Sequence, residues 1–213
     1  MKNTVITIAR GFGSGGLEIA DKLSAALGIP CFERQLIKMA SDYSGINESL
    51  FARNDEKLSA PLFAKNLRGI FNIDSPAPSP ASGEFVSDDS LFQIQAKIIR
   101  DLANRVSCVI VGKCANKILA QWKNTVSVFI YAPREACVRS VMNKLCVSER
   151  EAAKMIAKTD RYRSAYYKYY TGGGTWRDPD DYDLIINSER IGRDACVELI
   201  KAYAAQKSGT SAP

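Results

Sequence analysis

The residues of this chain best suited to chemistry are glycines and cations. Gly11, Gly13, Gly15 and Gly16 fall within six residues, with Ser14 among them. Glycine takes positive φ without a Cβ penalty and lets backbone N–H groups close on an anion. Arg10 stands just before them, Lys113 much farther along, and the run Lys158-Thr159-Asp160-Arg161-Tyr162-Arg163 later still. Guanidinium groups grip phosphate oxygens through two parallel N–H donors. The chain has no histidine, which rules out a histidine general base, a Ser-His-Asp triad and histidine-ligated zinc. Chemistry must therefore run on carboxylates, cations and positioning, and phosphoryl transfer needs little else.

Such an anion site requires a strand before the glycines and a helix after them. Val5-Ile6-Thr7-Ile8-Ala9 is a β-rich apolar run. Leu17, Ile19, Ala20, Leu23, Ala26 and Leu27 then recur at helical spacing. The first N–H groups of that helix have no internal partner and lie at the positive end of its dipole. A tight βα turn without a ligand is the alternative, but four glycines cost backbone entropy that such a turn does not require. Two phosphate motifs compete. GxGxxG fits Gly11, Gly13 and Gly16, and Glu33 stands near the place of a ribose-binding acid; spacing alone leaves this open. GxxxxGK[ST] fits only in its glycines. Counted from Gly11, Leu17 takes the lysine position and Glu18 the hydroxyl position. Aligning Gly13-Ser14-Gly15-Gly16 with GxGK puts Gly16 at the lysine. Neither register supplies a cation. Arg10 is the nearest substitute in sequence and could reach over the loop; a salt bridge to Glu33 or another acid at a neighbouring strand end is the competing reading.

Stepping outward from these residues, 213 positions suffice for one domain with a sizeable core and a small insertion. Hydrophobic content is 46%, charged content 24% and net charge +6, which favours anionic partners. No apolar run reaches the ~18 residues of a membrane span, and Met1-Lys2-Asn3 leads straight into a strand with no signal peptide. The six cysteines, Cys31, Cys108, Cys114, Cys137, Cys146 and Cys196, are scattered without a CxxC pair. That pattern predicts reduced thiols in a cytoplasmic protein. Further helices are expected at 36–41, 90–105, 115–122, 134–145 and 193–206, and a capping box at Ser148 and Glu151 opens another. Strands are expected at 31–32, 108–111, 126–131 and 182–187. Residues 43–70 read as patchily helical, SPAPSPAS at 75–82 as a mobile loop, and 208–213 as a frayed tail. Short unbroken apolar strands alternating with helices mean a parallel sheet covered on both faces. Ligands of such sheets bind beyond the carboxyl ends of the strands, where the loops 10–16, 33–35 and 112–116 emerge.

ITIARGFGSGG, IPCFERQLI, VIVGKCANKIL, VFIYAPREACVRSVM, KTDRYRSAYYKYY and DPDDYDLIIN occur in this order. Together they resemble the cytidylate kinase-like family, a branch of the nucleoside monophosphate kinases within the P-loop proteins. The resemblance covers nearly the whole chain except about residues 43–85. It implies a single three-layer α/β P-loop NTPase domain: a five-stranded parallel sheet with helices on both faces, a helical acceptor-side insertion at 43–90, and a basic lid at 158–176. It implies ATP and Mg²⁺ as cofactors, with no metal site built by the protein, and transfer to a nucleoside monophosphate, cytidylate first. Donor phosphates would lie on Gly11, Gly13, Ser14, Gly15 and Gly16. Arg161 and Arg163 of the lid, with Arg10, would act on the moving phosphoryl group. Glu33, Arg34, Gln95, Lys113 and Asn116 would meet the acceptor. The chain departs from the family where cytidylate kinases carry Gly-Arg-Asp after the third strand. Lys113 keeps the charge but loses the fork, and Asn116 stands where an acid is common. Gly172-Gly173-Gly174 would be the joint of a closing lid.

Two other readings remain at this level. The missing lysine and hydroxyl fit a nucleotide-binding protein that has lost catalysis, and a kinase for another small phosphorylated acceptor is also open. A nucleic-acid binder is disfavoured, because no helix outside the lid carries a clustered basic face with interleaved aromatics. The expected partners are small nucleotides and no membrane; a homodimer is left open.

Overall fold

The computed structural model describes residues 3–51 and 88–209. The 75–82 loop, most of the 43–90 insertion and the end of the 208–213 tail lie outside the described residues. The described chain divides into two compact units, Met1–Glu33 with Ile99–Pro213, and Arg34–Ile98.

In the first unit five strands form one sheet: β1 (Val5–Arg10), β2 (Cys31–Phe32), β3 (Cys108–Val111), β4 (Thr125–Tyr131) and β5 (Leu184–Asn187). Their order is β2-β3-β1-β4-β5 and every pairing is parallel. All four residues of β3 are buried, as an unbroken apolar strand of a covered sheet requires. Helices α1 (Gly16–Leu27) and, near the end of the chain, α8 (Arg193–Ser208) cover one face. There Ile19, Leu23, Cys196 and Ile200 pack against Ile6, Ile8, Val128 and Ile130. Each such side chain contributes about 1.5–3 kcal/mol on burial. Phe129, between Val128 and Ile130, must point to the other face. It meets Trp176 and Tyr182 edge-on, at centroid distances of 5.3 and 5.2 Å.

The remaining helices are α2 (Gln35–Ser44), α3 (Asp88–Arg105), α4 (Ala115–Ile118), α5 (Arg134–Leu145), α6 (Glu149–Tyr170) and α7 (Ser188–Ile191). The capping box expected at Ser148 and Glu151 opens α6, which runs unbroken through the basic stretch to Tyr170. Two local expectations are corrected, and one short helix is added. The helix begun at Ala115 stops at Ile118 rather than 122. The last strand starts at Leu184, because Tyr182 turns aside and donates its hydroxyl to the Trp176 carbonyl at 2.7 Å. The short helix α7 carries no apolar periodicity; the Asn187 side chain makes it by accepting from the Glu189 and Arg190 N–H groups. In the second unit α2 buries Leu36 and Ala40, and α3 buries Leu91, Phe92, Gln95 and Ala96.

Candidate active site

The glycine loop is held from behind. Gly11 N–H donates to the Ile130 carbonyl at 3.0 Å, and Ser14 Oγ donates to the Gly11 carbonyl at 2.9 Å. The Ser188 hydroxyl donates to the Ser14 carbonyl at 2.7 Å. Gly13 and Gly15 take φ of 84° and 77°. A Cβ on Gly13 would lie 2.7 Å from the Cys137 carbonyl oxygen, so only glycine fits there. Gly15 is the N-cap of α1, and no side chain caps that helix, whereas α6 and α7 are capped by Ser148 and Asn187. The first N–H groups of α1 thus stay open at the positive end of its dipole. This bare cradle fits nucleotide phosphates. Among the described residues no group of three or more His, Cys, Asp or Glu side chains could hold a metal ion.

Beside the cradle, at the carboxyl ends of the strands, three cations gather around one carboxylate. Arg10 Nη2 donates to Glu33 Oε1 at 2.6 Å, with 16% and 22% of the two side chains exposed. A Cβ on Gly112 would strike the Arg10 guanidinium, and one on Gly16 would lie 2.5 Å from Arg10 Cβ. The Arg10 side chain therefore runs along the strand ends toward β3 and β2 rather than over the loop, and its partner is Glu33. Arg163 Nη1 donates to the Arg10 carbonyl at 2.8 Å, and its guanidinium lies over the Phe12 ring at 5.7 Å. Lys113 and Cys114 both have positive φ directly after Gly112, a local strain of the kind that clusters at functional sites. Burial, then repulsion from Arg10, pushes the Lys113 ammonium down to about 7. The residue as a whole is half-buried. Burial and Arg10 likewise push Arg163 down to about 9. Glu33 opposes this lowering at both cations, and Asp160 also opposes it at Arg163.

A pH dependence follows. Lys113 is less basic folded than unfolded, so between about pH 7 and its ordinary value the unfolded chain binds more protons. Stability therefore rises with pH through that window. Around pH 7, at the start of that window, the folded protein loses the Lys113 charge, and binding of an anion to this cluster weakens. Both slopes are expected to shrink in Lys113→Met, with the part of the stability slope that Arg163 contributes above about pH 9 remaining. Melting temperature and phosphate affinity across about pH 6 to 10 test this; parallel wild-type and variant curves would refute it.

The other expected site residues are dispersed. Arg161 is exposed on α6. Arg34 is exposed in the second unit. Gln95 is fully buried there, and neither amide atom has a hydrogen-bond partner among the described residues. Asn116 is buried, and its Nδ2 donates to Tyr167 Oη at 3.0 Å and to the Asp181 carbonyl at 3.4 Å. Tyr167 donates in turn to Asp181 Oδ2 at 2.7 Å. Asn116 Nδ2 thus ties α6 to the segment before β5.

Two residues at the site escaped the sequence. Asp160 accepts from Phe12 N–H at 2.8 Å and from Arg177 at 3.2 Å, so a carboxylate of the basic run sits on the glycine loop. It also borders a cleft of about 220 Å³ with Ser164, Thr175, Trp176 and Arg177. Its one sequence signal is an acid inside a cationic run. Arg193 lies against Gly15 and pairs with Glu18; nothing in its neighbourhood in sequence marks it.

Residues 5–190 match the model of the cytidylate kinase-like family. The chain belongs to the cytidylate kinase-like family. Membership places it among proteins of nucleotide-dependent phosphoryl transfer, with a P-loop kinase fold. A solved, uncharacterised protein from Eubacterium ventriosum is similar to this family member at 26% identity and a TM-score of 0.68, covering 95% of this chain and 98% of the other. Shikimate kinases share the fold. That from Bacteroides thetaiotaomicron has a TM-score of 0.52 at 11% identity over 94% of this chain and 97% of its own. That from Acinetobacter baumannii, in complex with shikimate, has a TM-score of 0.50 at 11% identity over 96% and 94%. No curated protein matches significantly.

Proposed function

We propose that this family member transfers a phosphoryl group from ATP to a nucleoside monophosphate, with cytidylate as the first acceptor to test. The observation that carries the reading is the uncapped glycine cradle beside the cluster of Arg10, Lys113, Arg163 and Glu33. One part suits donor phosphates and the other suits the phosphate that receives, so donor and acceptor are aligned with positive charge around the moving group. Mg²⁺, if carried by the nucleotide, would supply further neutralisation of phosphate charge. Gly11, Gly13, Ser14, Gly15 and Gly16 hold the donor through the backbone. Arg163 acts on the transferring group. Arg10 and Lys113 draw in the acceptor phosphate, and Glu33 orients Arg10. Arg161, exposed on α6, and Arg34 enter as surface cations that meet nucleotide. Asn116 serves as a positioning residue rather than an acceptor contact, because its Nδ2 is already engaged. The free cysteines and small nucleotide substrates suit a cytoplasmic protein. Among the described residues no helix is long and apolar enough to cross a membrane.

Gln95 is proposed as a reader of the acceptor base. A buried amide with an unused donor and an unused acceptor costs stability and matches the hydrogen-bonding edge of a base.

The test is coupled ADP release with ATP, Mg²⁺ and a panel of CMP, dCMP, UMP, AMP and GMP. The expected result is turnover with CMP or dCMP above the rest. Gln95→Leu should raise unfolding stability by about 1 kcal/mol while levelling discrimination among the acceptors; lower stability with unchanged discrimination would make Gln95 a packing residue. A second reading rests on Leu17 at the lysine position: a nucleotide-binding protein that has lost transfer. ATP binding without ADP release for any acceptor would favour it.

A further inference from the structure

Gly16 and Leu17 leave the glycine loop without a lysine, and Arg10 is drawn toward Glu33. We infer that Arg193 is the cation of the donor-phosphate site, brought in by the tertiary fold, and that Glu18 holds it until an anionic nucleotide arrives. The inference rests on the reading of residues 11–16 as the donor loop.

Arg193 is the first residue of α8. A Cβ built on Gly15 would lie 2.6 Å from Arg193 Nε and 3.3 Å from its Cζ, so the guanidinium lies against the backbone at the mouth of α1. The segment that delivers it is tied to the loop, since Ser188 donates to the Ser14 carbonyl at 2.7 Å. An anion on the open N–H groups of α1 therefore has this guanidinium beside it. Arg193 Nη1 meanwhile donates to Glu18 Oε2. The two side chains remain 40% and 42% exposed, so the pair is weak and exchangeable. Phosphate oxygens can take the guanidinium from the carboxylate, because a fork of N–H donors suits them at least as well.

The bland alternative is a clamp between α1 and α8. Lys22 and Asp194 already form one beside it, at 2.6 Å. A clamp and a phosphate ligand make opposite predictions for Glu18. If Arg193 binds phosphate, Glu18 competes for it and its neutralisation frees the cation. If the pair is a clamp, loss of either partner loosens α1 from α8 without moving nucleotide affinity in opposite directions; Glu18 also faces Lys22 at 3.9 Å.

The experiment is calorimetric titration of the full chain with ADP and with ATP, in chelator and at low salt, with melting temperatures recorded for every variant. Arg193→Gln is expected to weaken both nucleotides about tenfold or more, the worth of one charge-assisted hydrogen bond. Arg193→Lys should recover part of the loss. Glu18→Gln is expected to tighten both nucleotides, although its melting temperature falls as far as that of Arg193→Gln. Binding unchanged in Arg193→Gln, or moved in the same direction by both neutral variants, overturns the assignment while leaving the donor loop in place. A wild-type protein that binds neither nucleotide overturns the donor loop itself, and this inference with it.

Discussion

Arg163→Ala will cut turnover on the order of 10²-fold or more, as removal of a cationic clamp does in phosphoryl transfer, with little change in KM for ATP. Arg163 stands where the glycine loop meets the cation cluster, donating to the Arg10 carbonyl and lying over the Phe12 ring. Its charge is most useful when negative charge shifts during transfer, so its loss falls on the rate. Stability is a poor guide to this effect. The substitution gives up a charged hydrogen bond, yet it also relieves repulsion from Arg10, the second cause of its lowered basicity after burial. Arg163→Lys should restore part of the rate, since charge returns without the fork. Steady-state kinetics on the best acceptor decide the matter, and a turnover number indifferent to both substitutions removes Arg163 from the mechanism.

Gly13→Ala is expected to abolish ATP binding and to cost about 2–5 kcal/mol of stability. Part of that cost is the left-handed backbone, about 1–2 kcal/mol for a residue with a Cβ. The rest is overpacking, about 1–3 kcal/mol, because the new methyl would lie 2.7 Å from the Cys137 carbonyl oxygen and 3.0 Å from Val141 Cγ2. A backbone carbonyl in α5 cannot swing aside, so the loop must move and the cradle opens. Gly15→Ala is the control for stability alone. It carries a similar φ, but its Cβ would meet Arg193, a long side chain able to turn away, and that displacement would itself weaken nucleotide binding. Urea unfolding of the two variants separates the cases. Equal losses in both would mean that backbone angle alone, not the Cys137 contact, makes glycine necessary. Wild-type ATP affinity in Gly13→Ala would move the donor site elsewhere.

Much of the fold was legible because it is written in local pattern. The apolar run 5–9, the glycines after it and the 3.6-residue spacing from Leu17 to Leu27 require nothing distant to be read. Ser148 and Glu151 announce α6 through a reciprocal cap made by near neighbours. Where local pattern was silent, reading failed. The short helix α7 depends on one Asn187 side chain, and the start of β5 depends on where Tyr182 finds the Trp176 carbonyl.

The sequence by itself determined an alternating α/β chain, a glycine cradle between strand and helix, membership of the cytidylate kinase-like family, and the absence of histidine chemistry. Only the tertiary structure decided which charges face one another. The strand order β2-β3-β1-β4-β5 sets the end of β1 beside the end of β3, with β2 beyond it. That order turns Arg10 toward Glu33, 23 residues away, instead of over the loop that follows it in sequence. The same folding carries Arg163 onto the Arg10 carbonyl across 153 residues. It ties Asn116 Nδ2 to Tyr167 and lays Arg193 against Gly15. Periodicity and motifs report the conformation of a few neighbouring residues. An ion pair is chosen by which strand ends and helix starts the hydrophobic core brings within a few ångströms, and that choice belongs to the whole chain.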